Sequence, residues 1–402
     1  MNNLLNFARR FFIFLTPVLL CMAVYEYAMY KTGDSWPVAL VAHKQQRISE
    51  ILYGRKLFSH DFFHYKKRVM ENSKAGIVVL GSSRVMQIRA SMFSPLDDTF
   101  YNLGGMVRNV FELQTYCNLI VSGKVHKPRV LIVGIDPWWF NKQRSRTDRN
   151  HDWRGFDWLP NLSDHCKIGL DFIRGTKIIP YDAIKQGLGS ESPYYGYYSI
   201  GLSAILEGSG FRSDGSRQYS PQIVFDFLRN PVYVDRESPP IITRVKNNQN
   251  FLTPPYFEFL DVLVTALEKV QKSGVEVYAI LPAFSSEVVD EFTQSKLFKE
   301  AWKIYREKLP RRLEGINVNC LLGVSPDTFG LNDKYMFDGM HPSEVLMGHQ
   351  MLELFKNVPT GSYLRKVDVE KVEKMIKNPE GNALSFDIMA FQGSKGVIED
   401  IY

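Results

Sequence analysis

Cysteine is scarce in this 402-residue chain, which contains only four. They are too few and too widely spaced to predict a disulfide framework or a zinc site: Cys21, Cys117, Cys166 and Cys320. The sequence also lacks a glycine-rich phosphate loop and a dinucleotide fingerprint, so it predicts no cofactor and no metal. Its basic residues form no stripe with interleaved aromatic residues, and we therefore predict no nucleic-acid partner.

The long apolar run of the chain lies near the N-terminus, at Phe11–Tyr25. It extends to about Tyr30, which brings it close to the ~20 residues that a spanning helix needs. Because Arg9 and Arg10 precede it and few basic residues follow, the positive-inside rule places the amino end in the cytoplasm. A cleavable signal peptide is the alternative, although no convincing Ala-x-Ala site follows. We predict an uncleaved single-pass anchor in the cell membrane, with the remaining chain on the extracytoplasmic (periplasmic or extracellular) face.

Beyond the anchor, predicted strands and helices alternate. Hydrophobic residues make up 45% of the chain and charged residues 23%, as in ordinary folded domains. The predicted strands are 76–80, 99–103, 129–135, 275–281 and 316–322. The predicted helices are 108–121, 255–272, 293–313, 343–355 and 367–378. The alternation predicts an α/β fold, a doubly wound parallel sheet in three layers.

Composition and pattern divide the chain into four parts. These are the cytoplasmic tip and anchor at 1–31, a connector at 32–72, the main folded domain at 73–360, to which the motifs given below assign the catalytic role, and a C-terminal helix and tail at 361–402. The connector is polar and helix-like, with an amphipathic run around Ile48–Phe58.

A large insertion at about 141–250 interrupts the catalytic domain. So long a stretch between two core strands predicts a lid or subdomain. Its many aromatic residues suit a carbohydrate groove or an acyl-chain entrance, and equally suit a small core of the insertion itself. Within it, Arg212-Ser213-Asp214-Gly215 predicts a turn.

Two short motifs far apart in the chain supply the groups of a serine catalytic triad. Gly81-Ser82-Ser83-Arg84 follows the apolar run Ile77–Leu80, at the carboxyl edge where open α/β sheets bind ligands. Asp338-Gly339-Met340-His341 places an acid and a base three residues apart, before a helix with Ser343 as its N-cap. A serine nucleophile needs a base and a third group that orients the base. Each motif alone could be a turn, but their joint occurrence favours a triad.

These motifs resemble those of the SGNH/GDSL hydrolase superfamily, whose fold is flavodoxin-like. The resemblance implies that Ser83 is the nucleophile, His341 the general base and Asp338 the orienting acid, with Ser82 the next candidate nucleophile. The Gly-Ser-Ser form is similar to a membrane-anchored branch that includes the DltD-type proteins of teichoic-acid D-alanylation and acetyltransferases of exopolysaccharide export.

Two further blocks extend the resemblance to the groups that hold an oxyanion. The block that ends in Gly104-Gly105 resembles the second family block, which implies that Gly104 or Gly105 donates a backbone N–H, together with Ser83. At the third block, Asp136 occupies the place of an oxyanion-donating Asn, and an ionised carboxylate cannot donate a hydrogen bond.

Two further residues bear on the substrate. The Pro-Trp-Trp-Phe stretch that follows Asp136 is similar to DltD-type proteins. Arg84 could bind an anionic substrate group or form an ion pair on a helix face.

The resemblance implies a membrane-anchored extracytoplasmic acyltransferase. It would move an acetyl or similar group to a cell-envelope or exported polysaccharide through an acyl-serine intermediate, with a multi-spanning membrane acyltransferase as partner. The alternatives are an extracytoplasmic esterase or deacetylase, and a non-catalytic assembly component.

Overall fold

The structure, a computed structural model, describes most of the chain. The described residues are 2–48, 51–57, 62–140, 167–171, 174–175, 179–186, 198–220, 223–224, 242–243, 258–296 and 298–377. Much of the insertion, including its predicted aromatic groove, and the tail beyond residue 377 therefore lie outside the described residues.

The described strands and helices alternate along most of the chain. The strands are β1 (Ile51–Tyr53), β2 (Ile77–Gly81), β3 (Phe100–Gly104), β4 (Val130–Gly134), β5 (Tyr198–Ile200), β6 (Gly210–Phe211), β7 (Arg217–Gln218), β8 (Glu276–Leu281) and β9 (Asn319–Leu322). The helices are α1 (Asn2–Thr32), α2 (Val38–Arg47), α3 (Phe62–Asn72), α4 (Val110–Val121), α5 (Tyr181–Gln186), α6 (Leu202–Glu207), α7 (Leu260–Lys272), α8 (Ser286–Gln294), α9 (Lys299–Lys303), α10 (Leu309–Glu314), α11 (Glu344–Asn357) and α12 (Val369–Ile376).

A five-stranded parallel sheet forms the centre, in the spatial order β3-β2-β4-β8-β9. The central strands β2 and β4 are runs of Val, Ile and Leu that are buried along their whole length, as expected for strands covered on both faces. Val78 and Leu80 face a core shared with α4 and α7. Ile77 and Val79 face the opposite core, shared with α11 and α12. The prediction of an α/β fold with a parallel sheet is confirmed.

The ends of two helices show how the sequence sets these elements. The Asn109 side chain accepts hydrogen bonds from the N–H groups of Phe111 and Glu112 and so caps α4. The Ser343 side chain accepts from the Leu346 N–H at 3.1 Å and caps α11, as predicted.

Two predicted helical segments are wrong in part. The predicted helix 293–313 is not continuous, because α8 ends before Ser295, whose backbone is extended. The chain then re-enters helix at Lys299 and passes through a π-helical turn, Ile304–Lys308, into α10. In the connector, the amphipathic run around Ile48–Phe58 contains the strand β1 instead of a helix, because Ile51–Tyr53 pairs with distant strands.

These distant partners belong to the insertion and form a second sheet, in the order β5-β1-β6-β7. β1 pairs parallel with β5 and antiparallel with β6, so the connector and the insertion fold together. The predicted turn between β6 and β7 is confirmed: the Arg212 N–H donates to the Ser216 carbonyl at 2.9 Å. Gly215 has a φ of 78°, a conformation that favours glycine.

At the N-terminus, α1 is a 31-residue helix. Its segment Leu5–Thr32 is long and apolar enough to cross a membrane, and little of it is buried by the rest of the protein. Membrane anchoring through α1 is therefore possible by length and composition.

Candidate active site

Ser83 lies directly beyond the carboxyl end of β2. The chain turns there into a short 3₁₀ segment, Ser83–Val85, and the Ser82 side chain accepts a hydrogen bond from the Arg84 N–H at 3.2 Å. Ser82 therefore caps this turn, and Ser83 is exposed. The turn packs tightly on the neighbouring strand: a Cβ at Gly134 would lie 2.1 Å from the Val85 side chain. This close approach explains the glycine that ends β4.

The structure brings Ser83, His341 and Asp338 together, although the first and second are 258 residues apart. Ser83 Oγ lies 2.9 Å from His341 Nε2. On the other side of the imidazole, His341 Nδ1 lies 2.8 Å from Asp338 Oδ2. With the proton on Nδ1, the ring can accept the Ser83 proton on Nε2 while it donates to the carboxylate. This is the geometry that nucleophilic attack by serine needs.

The loop that carries the acid and the base is held by its own backbone. Asp338 Oδ1 accepts hydrogen bonds from the N–H groups of Met340, at 2.7 Å, and His341, at 2.8 Å. The Phe337 N–H donates to the His341 carbonyl at 2.9 Å and closes the loop. These contacts fix both side chains relative to each other. Little conformational entropy therefore has to be lost when the reaction occurs.

Asp338 is held in its ionised form. Partial burial acts to raise its pKa, but hydrogen bonds from the His341 ring and from the Met340 and His341 N–H groups outweigh burial and lower the pKa below its usual value. An ionised carboxylate at this position favours the Nδ1–H tautomer of His341 and stabilises the imidazolium once it forms.

Arg84 does not face the surface at Ser83. Its side chain is 1% exposed, and its guanidinium lies 3.6 Å from the ring centre of Phe284. The guanidinium binds internal groups: the Met340 carbonyl, the Asp136 carboxylate, and the carbonyls of Pro282 and Ala283. Of the two predicted alternatives the ion pair is therefore observed, but it is buried beneath the carboxyl edge of the sheet and does not lie on an exposed helix face.

Asp136 is the buried partner in that ion pair. Its Oδ1 lies 2.9 Å from Arg84 Nη1, and its side chain is also 1% exposed. A carboxylate buried in this way does not face a substrate, so the structure does not support Asp136 as part of an oxyanion or substrate site. The acid is explained by the arginine, since a buried charge requires a partner of opposite sign.

The backbone N–H groups of the two predicted oxyanion glycines already donate hydrogen bonds within the protein. The Gly104 N–H donates to Asn102 Oδ1 at 2.6 Å, and the Gly105 N–H donates to the Gly81 carbonyl at 2.8 Å. Both donors are engaged within the protein in this conformation, so the structure does not support their predicted role. The Ser83 N–H, the first of its 3₁₀ turn, donates to no group in the described part of the chain and is available to an oxyanion.

Two buried polar residues that the sequence analysis missed support this edge of the sheet. Asn102 is fully buried, and its Nδ2 donates to the carbonyls of Val85 and Ile88, both at 2.8 Å. Lys66 on α3 is also fully buried, and its Nζ donates to the Gly104 carbonyl at 2.5 Å. An asparagine inside an apolar strand was the available signal, since a buried amide must find partners.

The insertion reaches the same edge. The Tyr219 ring contacts the ring of Phe337, one residue before Asp338, with the ring centres 3.8 Å apart. The Arg217 N–H donates to the carbonyl of Met86, three residues after Ser83, at 2.8 Å. The insertion is therefore in contact with residues that adjoin both motifs of the site. Among the described residues, no three His, Cys, Asp or Glu side chains are grouped to hold a metal ion.

No protein-family profile and no curated protein matches this chain.

Proposed function

We propose that the protein is a membrane-anchored acyltransferase that moves an acyl group, acetyl or similar, to a hydroxyl of an extracytoplasmic polysaccharide. The observation that carries the proposal is the hydrogen-bonded series Ser83–His341–Asp338 at the carboxyl edge of the sheet, with Ser83 exposed. Three residues from two distant motifs meet there at distances suited to proton transfer.

The reaction has two balanced steps. In the first, His341 Nε2 takes the proton of Ser83 Oγ, which attacks the donor carbonyl; the leaving group departs with that proton and acyl-Ser83 remains. In the second, His341 takes the proton of an acceptor hydroxyl, which attacks acyl-Ser83 and carries the acyl group away as a new ester. The proton then returns to Ser83 Oγ.

The small number of oxyanion donors among the described residues favours a transferase over a general esterase. Removal of one such donor costs an enzyme of this kind about 10²–10³ in kcat. Here the Ser83 N–H is available, whereas Gly104 and Gly105 are occupied and Asp136 cannot donate. An activated acyl donor, delivered by a multi-spanning membrane acyltransferase, needs less stabilisation of this charge than an ordinary ester.

The fold and the anchor agree with the proposal. Numbered by order of appearance in their sheet, the parallel strands lie in the order 2-1-3-4-5, which is the flavodoxin-like doubly wound order of the SGNH resemblance. Arg9 and Arg10 lie at the amino end of α1, which favours a cytoplasmic amino end and an extracytoplasmic catalytic domain.

The proposal is tested by the fate of the acyl group. Purified full-length protein, given an activated acetyl ester and a soluble polysaccharide, should acetylate the polysaccharide, and Ser83→Ala should not. Release of free acetate at the same rate with and without the polysaccharide would indicate an esterase instead. Equal rates for wild type and Ser83→Ala would indicate a non-catalytic component.

A further inference from the structure

The carboxyl end of α1 is built into the folded domain. Three side chains on one side of α1 are buried in a cluster with the insertion: Tyr25, Ala28 and Met29. The Thr32 carbonyl, at the last residue of α1, accepts a hydrogen bond from the Gly201 N–H at 2.7 Å. The carboxyl end of the anchor therefore packs directly against the insertion, and the position of α1 fixes the position of the insertion.

Exposure along α1 changes at Tyr25. From Leu5 to Val24 nearly every side chain is exposed. The apolar run begins at Phe11, after Arg9 and Arg10, so the ~20 residues (about 30 Å) that cross the hydrocarbon core end near Tyr30. Tyr27 and Tyr30 lie on the uncovered side of this last part, and tyrosine is enriched at the membrane interface. The bilayer surface is thus expected near Tyr27 and Tyr30, where the insertion covers the other side of α1.

Two apolar side chains of the insertion are exposed beside this boundary. Leu170 is 51% exposed and Tyr181 is 75% exposed. Ile168 and Ala183, each two residues away, are buried in the cluster with α1. The same segments carry three exposed basic side chains, Lys167, Arg174 and Lys185, and two acidic side chains, Asp171 and Asp182, which leaves one net positive charge. The apolar and basic residues together are named the juxtamembrane surface: Lys167, Leu170, Arg174, Tyr181 and Lys185. Exposed apolar and basic side chains together suit the headgroup region of an anionic bilayer.

Beyond α1, the described residues include six exposed large apolar side chains: Leu40, Ile48, Val121, Leu170, Tyr181 and Tyr198. Of these, Leu170 and Tyr181 each lie two residues from a side chain that is buried against α1, Ile168 and Ala183. Val121 instead ends α4, a helix of the parallel sheet.

We propose that the juxtamembrane surface lies in the headgroup region of the bilayer that α1 spans, with anionic phospholipid as its ligand. The inference rests on the membrane anchoring proposed above and is independent of the chemistry at Ser83. Together, α1 and the juxtamembrane surface fix both the height and the tilt of the catalytic edge relative to the bilayer.

The test uses the full-length chain in vesicles of phosphatidylcholine and phosphatidylglycerol that contain brominated lipid. Single cysteines are introduced by Leu170→Cys or Tyr181→Cys and labelled with an apolar fluorophore, with Cys21 and Cys166 replaced by serine. Cys117 is buried and can stay, whereas the half-buried Cys320 is also replaced by serine. Val121→Cys is the matched control for an exposed apolar site away from α1, and Phe14→Cys reports whether α1 is in the bilayer.

The proposal predicts several-fold stronger quenching at positions 170 and 181 than at position 121, with a decrease when phosphatidylglycerol is omitted. Quenching at 170 and 181 equal to that at 121, with strong quenching at 14, would overturn it while leaving the anchor intact. Weak quenching at 14 would overturn the anchor as well. If the labels at positions 170 and 181 are shielded from solvent in native membranes but not in the lipid vesicles, the surface binds a protein and the proposal is wrong. Turnover of an acetyl ester by the same samples reports on Ser83 separately.

Discussion

Arg84 Nε donates a hydrogen bond to the carbonyl oxygen of Met340, 2.8 Å away. Arg84 follows Ser83 in sequence, and Met340 precedes His341. The bond therefore joins the two halves of the candidate site from beneath, where solvent does not compete. Because the same guanidinium binds Asp136 and the carbonyls that follow β8, one side chain connects three strand ends.

Replacement of Arg84 by methionine should destabilise the fold strongly. Removing one partner of a buried ion pair leaves the other charge in a dry environment and typically costs about 3–5 kcal/mol. Urea unfolding of Arg84→Met should show a loss in this range. Arg312→Met is the matched control, because the Arg312–Asp261 pair is exposed and should contribute less than about 1 kcal/mol. Similar losses for the two variants would contradict the role given to Arg84.

Asp338→Asn should leave the fold intact and nearly abolish activity. The amide cannot hold the Nδ1–H tautomer of His341 or stabilise the imidazolium, and comparable replacements lower kcat about 10⁴-fold. The control is Asp290→Asn on α8, an exposed carboxylate for which no change is expected. Measured with an activated acetyl ester, a kcat within about tenfold of wild type would exclude Asp338 from this role.

The grouping of Ser83, His341 and Asp338 could be predicted from the sequence because the residues that indicate it lie in two short segments. Gly81–Arg84 and Asp338–His341 are short, contiguous motifs that adjoin a predicted strand and a predicted helix. The strands β2 and β4 could be predicted for the same reason, since burial on both faces requires continuous apolar runs.

The roles of Arg84, Gly104 and Asp136 could not be predicted in this way. An arginine beside a nucleophile has the same local sequence whether it faces substrate or the core, and only the positions of Met340 and Asp136 decide between these. Likewise, the local amphipathic pattern around β1 predicted a helix. The strand is set instead by its parallel partner Tyr198–Ile200, about 150 residues away, which the local pattern does not contain.

Lys66 should make stability depend on pH in the alkaline range. Burial lowers its pKa well below the usual value, whereas in the unfolded chain it titrates near 10.4. Between these two pKa values the unfolded state binds more protons, so the free energy of unfolding rises with pH. Lys66→Met removes this dependence, although it also removes the hydrogen bond to the Gly104 carbonyl.

The wild-type protein should therefore gain stability relative to Lys66→Met as the pH rises above the lowered pKa of Lys66 towards about 10, by up to about 1.4 kcal/mol per pH unit. Urea unfolding at several pH values measures the difference. Lys74→Met, at an exposed position, should show no such trend. A constant difference between wild type and Lys66→Met would mean that Lys66 is not held neutral.

Asn102→Ala should lower stability through the three backbone groups that it leaves unpaired. Each buried group without a partner costs about 1–3 kcal/mol. The affected groups are the carbonyls of Val85 and Ile88 and the N–H of Gly104. Asn118→Ala, on the exposed side of α4, is the control and should be close to neutral. Equal melting temperatures for the two variants would contradict this account.

The central claim is that Ser83 becomes acylated, and intact-mass spectrometry after rapid mixing with an activated acetyl ester tests it most directly. The account predicts that wild type gains one acetyl group, located by peptide mapping on Ser83, and that Ser83→Ala gains none. The Ser82→Ala variant should still become acylated, because Ser82 caps the turn and Ser83 is the residue within hydrogen-bonding distance of His341. Acylation that persists in Ser83→Ala but disappears in Ser82→Ala, or no acylation of wild type, would contradict it.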